Sequence, residues 1–227
     1  MGRRYSKDEI ESMVETIANN KELLYKADCI DYRGTLKGKK EYTSEAIAAY
    51  LLSHLSRLAS GIKHMRREST YNVEHANKPR AENSNRQEEL LAIQLVEERH
   101  TGSRYGTMIA YQIPLKNSMD NRGVGKIDLI SYHDECNKLF IHEFKKKDND
   151  ETLLRSVLEI YTYFKTVNQE KLLVDFGHCG AIVVPSVLVY AESEQHKHYQ
   201  NNSNLKALMK KLGVEFHILE EPEHDPA

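Results

Sequence analysis

The chain is 227 residues long, 40% hydrophobic and 29% charged, which is enough to bury one good core with a small accessory region beside it. This balance excludes a disordered chain, and no apolar run nears the roughly 20 residues that span a bilayer, so no membrane partner is expected. The net charge is −2, from 32 Lys plus Arg against 34 Asp plus Glu, so no overall field attracts a polyanion; a nucleic-acid partner would be held by local basic patches and by metal ions.

The opening stretch, MGRRYSKDE, lacks the apolar segment of a signal peptide, and the cytoplasm is the expected location. Cys29, Cys136 and Cys179 are odd in number, widely separated and without C-x-x-C spacing, which argues for reduced thiols rather than a disulfide frame or a thiolate zinc site.

Ser6 and Glu9 have capping-box spacing and predict a helix to about Asn19, with Ile10, Met13, Val14 and Ile17 as its apolar stripe. Residues 28–42, with two glycines and a lysine cluster, suggest a turn or short hairpin whose Arg33, Lys37, Lys39 and Lys40 belong to a solvated loop. Thr43 or Ser44 is the expected cap of a second helix running to about Arg67, with Gly61 weakening or bending it and Lys63, His64, Arg66 and Arg67 suiting its C-terminus through the macrodipole, with phosphate contact as the alternative. The polar stretch 69–85 reads as a boundary, dividing a helical region, 1–80, from a main domain, 81–221.

Arg86 to Arg99 is a strong helix former, with Glu88 on the face of Leu91, Ala92 and Leu95 and Glu89 on that of Ile93 and Val96. Met108 to Leu115 reads as a strand that ends at Pro114 or lies at an edge. Farther on, a helix from Glu151 to Val167 is expected, capped by Asp148 or Asn149 and packing through Leu153, Val157, Ile160 and Phe164. Cys179 to Pro185 reads as a central strand buried on both faces, which Val187 to Tyr190 either continues or follows with another. A helix from Leu205 to Leu212 stops at Gly213, a last strand spans 214–219, and residues 222–227 form a disordered acidic tail.

The stretch GVGKIDLISYHDECNKLFIHEFK, residues 123–145, carries the chemistry. Its two apolar runs, Lys126 to Tyr132 and Leu139 to Lys145, fold into a hairpin across the polar segment from His133 to Lys138. Alternation sets Leu139, Ile141, Glu143 and Lys145 on one face. Asp128 then approaches Glu143 across the ladder, and two carboxylates so placed repel unless a cation lies between them, for which hard divalent ions such as Mg²⁺ are suited.

Asp128, followed by Glu143, one apolar residue and Lys145, resembles the metal-binding signature of the PD-(D/E)xK nuclease superfamily. The proline of that name is missing: Gly123, Val124, Gly125 and Lys126 stand where it would fall. The resemblance implies a mixed α/β chain with a restriction-endonuclease-like αβββαβ core and a helical N-terminal extension. It further implies a metal-dependent deoxyribonuclease. Asp128, Glu143 and the Phe144 carbonyl would hold Mg²⁺ (or Mn²⁺), Glu88, preferred to Glu89, would complete the set, and Lys145 would orient the attacking hydroxide. Arg155, Glu159 and Tyr163 resemble a substrate-positioning stripe in a recombination-exonuclease branch, with Glu159 where that branch has Gln, and Lys146 is assigned to substrate with them. The partner implied is nucleic acid, DNA foremost. A homodimer is left open, since many such nucleases pair to cut two strands. A non-catalytic nucleic-acid-binding relative and a protein-interaction module on the same fold are the alternatives.

Overall fold

The computed structural model describes residues 4–59, 61–63, 67–73, 87–116 and 125–220. Helix α1 (Lys7–Asn19) opens with the expected capping box: Ser6 Oγ accepts from Glu9 N–H while Glu9 Oε2 accepts from Ser6 N–H at 2.7 Å. The loop after it carries a 3₁₀ turn (Leu24–Lys26) and an isolated antiparallel bridge between Thr35 and Tyr42, and Arg33, Lys37, Lys39 and Lys40 are exposed as expected.

Helix α2 (Thr43–Ser53) is shorter than its apolar spacing predicts, and its N-cap is Tyr42, without a side-chain cap bond; Thr43 and Ser44 lie buried inside the first turn. It stops because His54 leaves helical geometry (φ −133°, ψ 49°), turns its N–H to Leu51 O, and brings its ring Nδ1 to 2.9 Å from Tyr50 O. The chain continues as a 3₁₀ turn (Leu55–Ala59) that buries Leu58, and Gly61 lies beyond any helix. Arg67 is therefore no helix-terminal cation: it is buried, donates to the carbonyls of Thr70 and Lys116, and its guanidinium sits 4.9 Å from the Tyr71 ring centre. His64, Arg66, most of the expected boundary 69–85, Gly123, Val124 and the acidic tail lie outside the described residues.

The remainder is a mixed six-stranded sheet with helices packed on it, consistent with an α+β class. Helix α3 (Gln87–Glu97) precedes β1 (Thr101–Gly102), β2 (Gly106–Pro114), β3 (Lys126–His133) and β4 (Lys138–Lys145), which pair antiparallel in sequence order. Helix α4 (Leu153–Thr166) and α5 (Gln169–Asp175) lead to β5 (Ile182–Val189), parallel to β4; α6 (Glu194–Asn201) and α7 (Ser203–Leu212) lead to β6 (Glu215–Ile218), parallel to β5. No described helix is long and apolar enough to cross a membrane.

Alternation divides the sheet into two apolar layers. Ile130, Leu139, Ile141, Val183 and Val187 face one side, in one buried cluster with Leu153, Val157 and Ile160 of α4 and Ile10, Val14 and Ile47 of the N-terminal helices. Leu129, Phe140, Phe144, Val184 and Leu188 face the other, against Ala92 and Leu95 of α3.

Several elements differ from their sequence expectations for local reasons. Helix α4 is capped by Thr152, whose Oγ1 accepts from Arg155 N–H, rather than by Asp148 or Asn149; Asn149 Oδ1 instead holds Glu151 N–H at 2.8 Å. Strand β5 begins at Ile182 because Gly180 (φ +85°) keeps Cys179 to Ala181 in a turn, and it then runs unbroken through Pro185 to Val189. A proline fits there because β6 pairs only from Ser186 onward. Gly213 (φ +70°) ends α7 as expected.

The N-terminal region also caps the core helices. Asp31 Oδ1 accepts Thr152 N–H at 2.7 Å at the start of α4. Helix α7 has no cap of its own; Glu45 of α2 supplies one, accepting Asn204 N–H at 2.7 Å and Leu205 N–H at 3.1 Å.

Candidate active site

The β3–β4 ladder is registered from His133 opposite Lys138 up to Leu129 opposite His142, and there it ends. One step further, Asp128 would face Glu143, but its carboxylate has taken over the ladder's role: Asp128 Oδ2 accepts the Phe144 N–H at 3.0 Å. The strands part at this point because a side chain now occupies the space of a backbone partner. Strand β3 stays joined to β2 out to Pro114 opposite Lys126. Facing Asp128 on β2 is Gln112, whose Nε2 donates to Asp128 Oδ1 at 3.2 Å and whose backbone is left-handed (φ +51°). A non-glycine residue in that region is strained, and such strain persists where surrounding structure over-determines it.

Asp128 shares its sheet face with Ile130, and Glu143 and Lys145 share theirs with Leu139 and Ile141, so all three polar side chains emerge on the α4 side. Glu143 and Lys145 are almost fully buried, and Lys145 Nζ lies 2.9 Å from Glu143 Oε1. The lysine has a second partner that its position in the sequence does not advertise: Glu151 Oε2, at 2.7 Å, an ion pair rather than a well-aimed hydrogen bond. Glu151 in turn lies 3.4 Å from Arg155, which also pairs with Asp31 at 3.4 Å. An acid–base chain therefore runs from Glu143 through Lys145, Glu151 and Arg155 to the N-terminal region.

Burial governs the charge states. Loss of water pushes the Asp128 carboxyl up to about 6, against the pull of Lys145 and the Phe144 N–H. Glu143 is driven well above the usual carboxylate range, first by burial and then by the charge of Asp128. Burial works against the Lys145 ammonium, but Glu143, Asp128, Glu151 and Glu88 outweigh it and hold the amine protonated, well above its ordinary value. Lys145 and Arg155 are two cations among Asp128, Glu143, Glu151, Glu159 and Asp31, and they do not offset this concentration of acid. Two crowded carboxylates, starved of cationic charge and presenting oxygen donors, suit a hard divalent cation. Among the described residues no group of three or more His, Cys, Asp or Glu side chains is gathered for a metal, so the candidate donors are the pair Asp128 and Glu143 with backbone oxygen beside them.

The other expected residues fall in different places. Helix α3 covers the opposite sheet face, and Glu88 from its first turn reaches the end of β4, where Oε1 accepts Lys146 N–H at 3.2 Å and Asn149 Nδ2 at 2.7 Å. It bears on Asp128 and Lys145 by charge, not by direct bonding. Glu89 lies toward Tyr111. Lys146 points away from the centre, its Nζ held by Gln87 Oε1 at 2.9 Å and Asp148 Oδ1 at 3.0 Å. On α4, Tyr163 donates its hydroxyl proton to Glu159 Oε1 at 2.5 Å, and burial with the Glu159 charge raises its pKa strongly. Glu159 adds its charge to both Asp128 and Glu143. The structure thus gathers Asp128, Glu143, Phe144 and Lys145, with Arg155, Glu159 and Tyr163 alongside, and leaves Lys146 apart.

Gln112, Glu151 and Asp31 were not singled out by sequence. Glu151 carried a weak signal, a carboxylate six positions after Lys145 across a tight turn. Gln112 carried another, the one amide inside an apolar strand. His178, beside Cys179, stacks on Tyr132 with ring centres 3.6 Å apart, and among the described residues it joins no group of metal-ligating side chains. No family model, no curated protein and no solved structure matches the chain.

Proposed function

We propose that the chain is a metal-dependent phosphodiesterase acting on nucleic acid, DNA foremost, on a restriction-endonuclease-like core. The observation that carries this reading is the parting of β3 and β4 at Asp128, which leaves two carboxylates and a buried lysine on one face with no ladder bond between them. From α3 to β5 the order is helix, four antiparallel strands of which β1 has only two residues, two helices and a parallel strand; with the short β1 and α5 set aside it is αβββαβ, which supports that core. A binding module would gain nothing from acids that repel phosphate.

Asp128, Glu143 and the Phe144 carbonyl are the groups to hold the cation, with Glu88 fixing the end of β4 behind them. A bound Mg²⁺ or Mn²⁺ acidifies a water and offsets charge on the phosphoryl oxygens. Lys145, kept protonated by its acidic neighbours, donates to a non-bridging phosphoryl oxygen as negative charge grows there. Glu151 is the second partner that would keep the ammonium aimed if Glu143 were engaged in holding a cation. Water adds to phosphorus, the ester bond to one sugar oxygen breaks, and that oxygen takes up a proton.

Purified protein incubated with labelled DNA and RNA in Mg²⁺ or Mn²⁺ tests the reading. Cleavage is expected from the wild type and is expected to fall by roughly 10²-fold or more in Asp128→Ala and Lys145→Ala, the scale of removing one transition-state stabiliser. Cleavage that persists in both variants would rule out this centre, and metal-independent binding without cleavage would favour the non-catalytic alternative.

A further inference from the structure

A cavity of about 450 Å³ opens between the turn Leu24–Lys26 and helix α4, within the range of roughly 300–1,000 Å³ common to small-ligand sites. Leu23, Ala27 and Leu115 give it an apolar floor, together with Thr162 and Thr166. Both threonine hydroxyls donate back to helix carbonyls at 2.7 Å, so their polarity is spent within α4. Among the described lining residues Lys21, Lys26 and Lys63 stand exposed on the rim, Lys26 over the Tyr25 ring, and Glu22 is the acid beside them, in a chain whose net charge is −2.

Tyr25 and Tyr163 form the wall between this cavity and the carboxylates, edge to face with ring centres 6.0 Å apart. Tyr163 donates to Glu159. The Tyr25 hydroxyl, buried and close enough to feel Glu159 and Glu143, is held up at about 12. The cleft and the candidate active site therefore adjoin at these two tyrosines.

We infer that this cleft receives one unpaired nucleotide of a polynucleotide strand, its base against the apolar floor and the tyrosine edges and its flanking phosphates on Lys21, Lys26 and Lys63. The charge pattern selects the ligand: spaced lysines around an apolar recess match a base carried between repeating phosphates. Base-paired nucleotides would have to unpair and unstack before entering, so a duplex interior is the poorer ligand. The direction of the strand, from the cleft toward Asp128 and Glu143, rests on the phosphodiesterase reading; the ligand class rests on the cleft alone.

Fluorescence anisotropy with labelled single-stranded DNA, RNA of the same sequence and duplex DNA, all in EDTA so that nothing is cut, tests it. Single strands are expected to bind roughly tenfold more tightly than duplex, and the DNA and RNA arms tell which sugar is preferred. Lys21→Glu combined with Lys63→Glu is expected to weaken single-strand binding by roughly tenfold or more, and Ala27→Phe, which fills the recess, is expected to remove the preference, each with an unchanged melting temperature. Equal binding of duplex and single strand, or binding indifferent to both sets of variants in folded protein, would overturn the inference. Asp128-dependent cleavage with no strand preference would remove the cleft and leave the phosphodiesterase. Cleft-dependent binding with no cleavage in any metal would do the reverse.

Discussion

Asp128, Glu143 and Lys145 are legible in the sequence because each stands where an apolar residue would complete a strand, and alternation alone assigns the last two to one face. What the sequence does not carry is the device that separates the strands. The Asp128 carboxylate accepting Phe144 N–H, the left-handed Gln112 across from it and Glu151 behind Lys145 depend on register and on a turn's path, which no short window of residues encodes. Gly125, one of the residues standing where the proline of the superfamily name would fall, has a steric reason to be glycine: a β-carbon there would overlap the Tyr163 hydroxyl. Gly125→Ala is therefore expected to displace a buried tyrosine held by Glu159, destabilising the protein by about 1–3 kcal/mol, the usual cost of overpacking. Urea denaturation measures this, and an unchanged midpoint would mean that the tyrosine is free to yield.

At the level of elements, strands β2 to β4, helix α4 and the Gly213 stop follow from alternation, helical spacing and a positive φ. Helix α6, EQHKHYQN, escaped because it has no apolar stripe and buries only Gln195. Helix α5 escaped because seven residues give little periodicity to read. The overlong expectation for α2 has a different origin: Leu55 and Leu58 keep helical spacing, but His54 diverts the backbone, so apolar pattern and backbone path disagree. Caps supplied from far along the chain are equally invisible to local reading. Glu45→Ala leaves three donors at the start of α7, Asn204 N–H, Leu205 N–H and Ser203 Oγ, without their acceptor. The expected cost is about 1–2 kcal/mol, which for a chain of this size lowers the melting temperature by roughly 2–8 °C. An unchanged melting temperature would show that solvent replaces Glu45 at no cost.

For the whole molecule, the two apolar layers make the N-terminal helices part of the same buried cluster as the α4 face of the sheet, so the first region is built into the wall beside the candidate site. The second layer carries a pH dependence. His217 is buried, and burial, with Arg104 and Lys138, lowers its pKa to about 4 against the opposing pull of Glu215 and Glu220. A folded-state value below the unfolded 6.5 or so means that the unfolded chain binds the proton more readily. Stability from this group is thus complete above about pH 6.5 and declines as pH falls toward 4. Between pH 7.5 and 5 wild type should lose about 2 kcal/mol more than His217→Phe, read from denaturant unfolding at each pH; parallel losses would remove His217 as the cause. The measurement closest to the central claim is calorimetric titration of Mn²⁺ into wild type, Asp128→Asn and Glu143→Gln at pH 8. Saturable binding by wild type, weakened at least roughly tenfold in each variant, is predicted; no binding by wild type, or isotherms that the two substitutions leave unchanged, would contradict a cation held between these carboxylates.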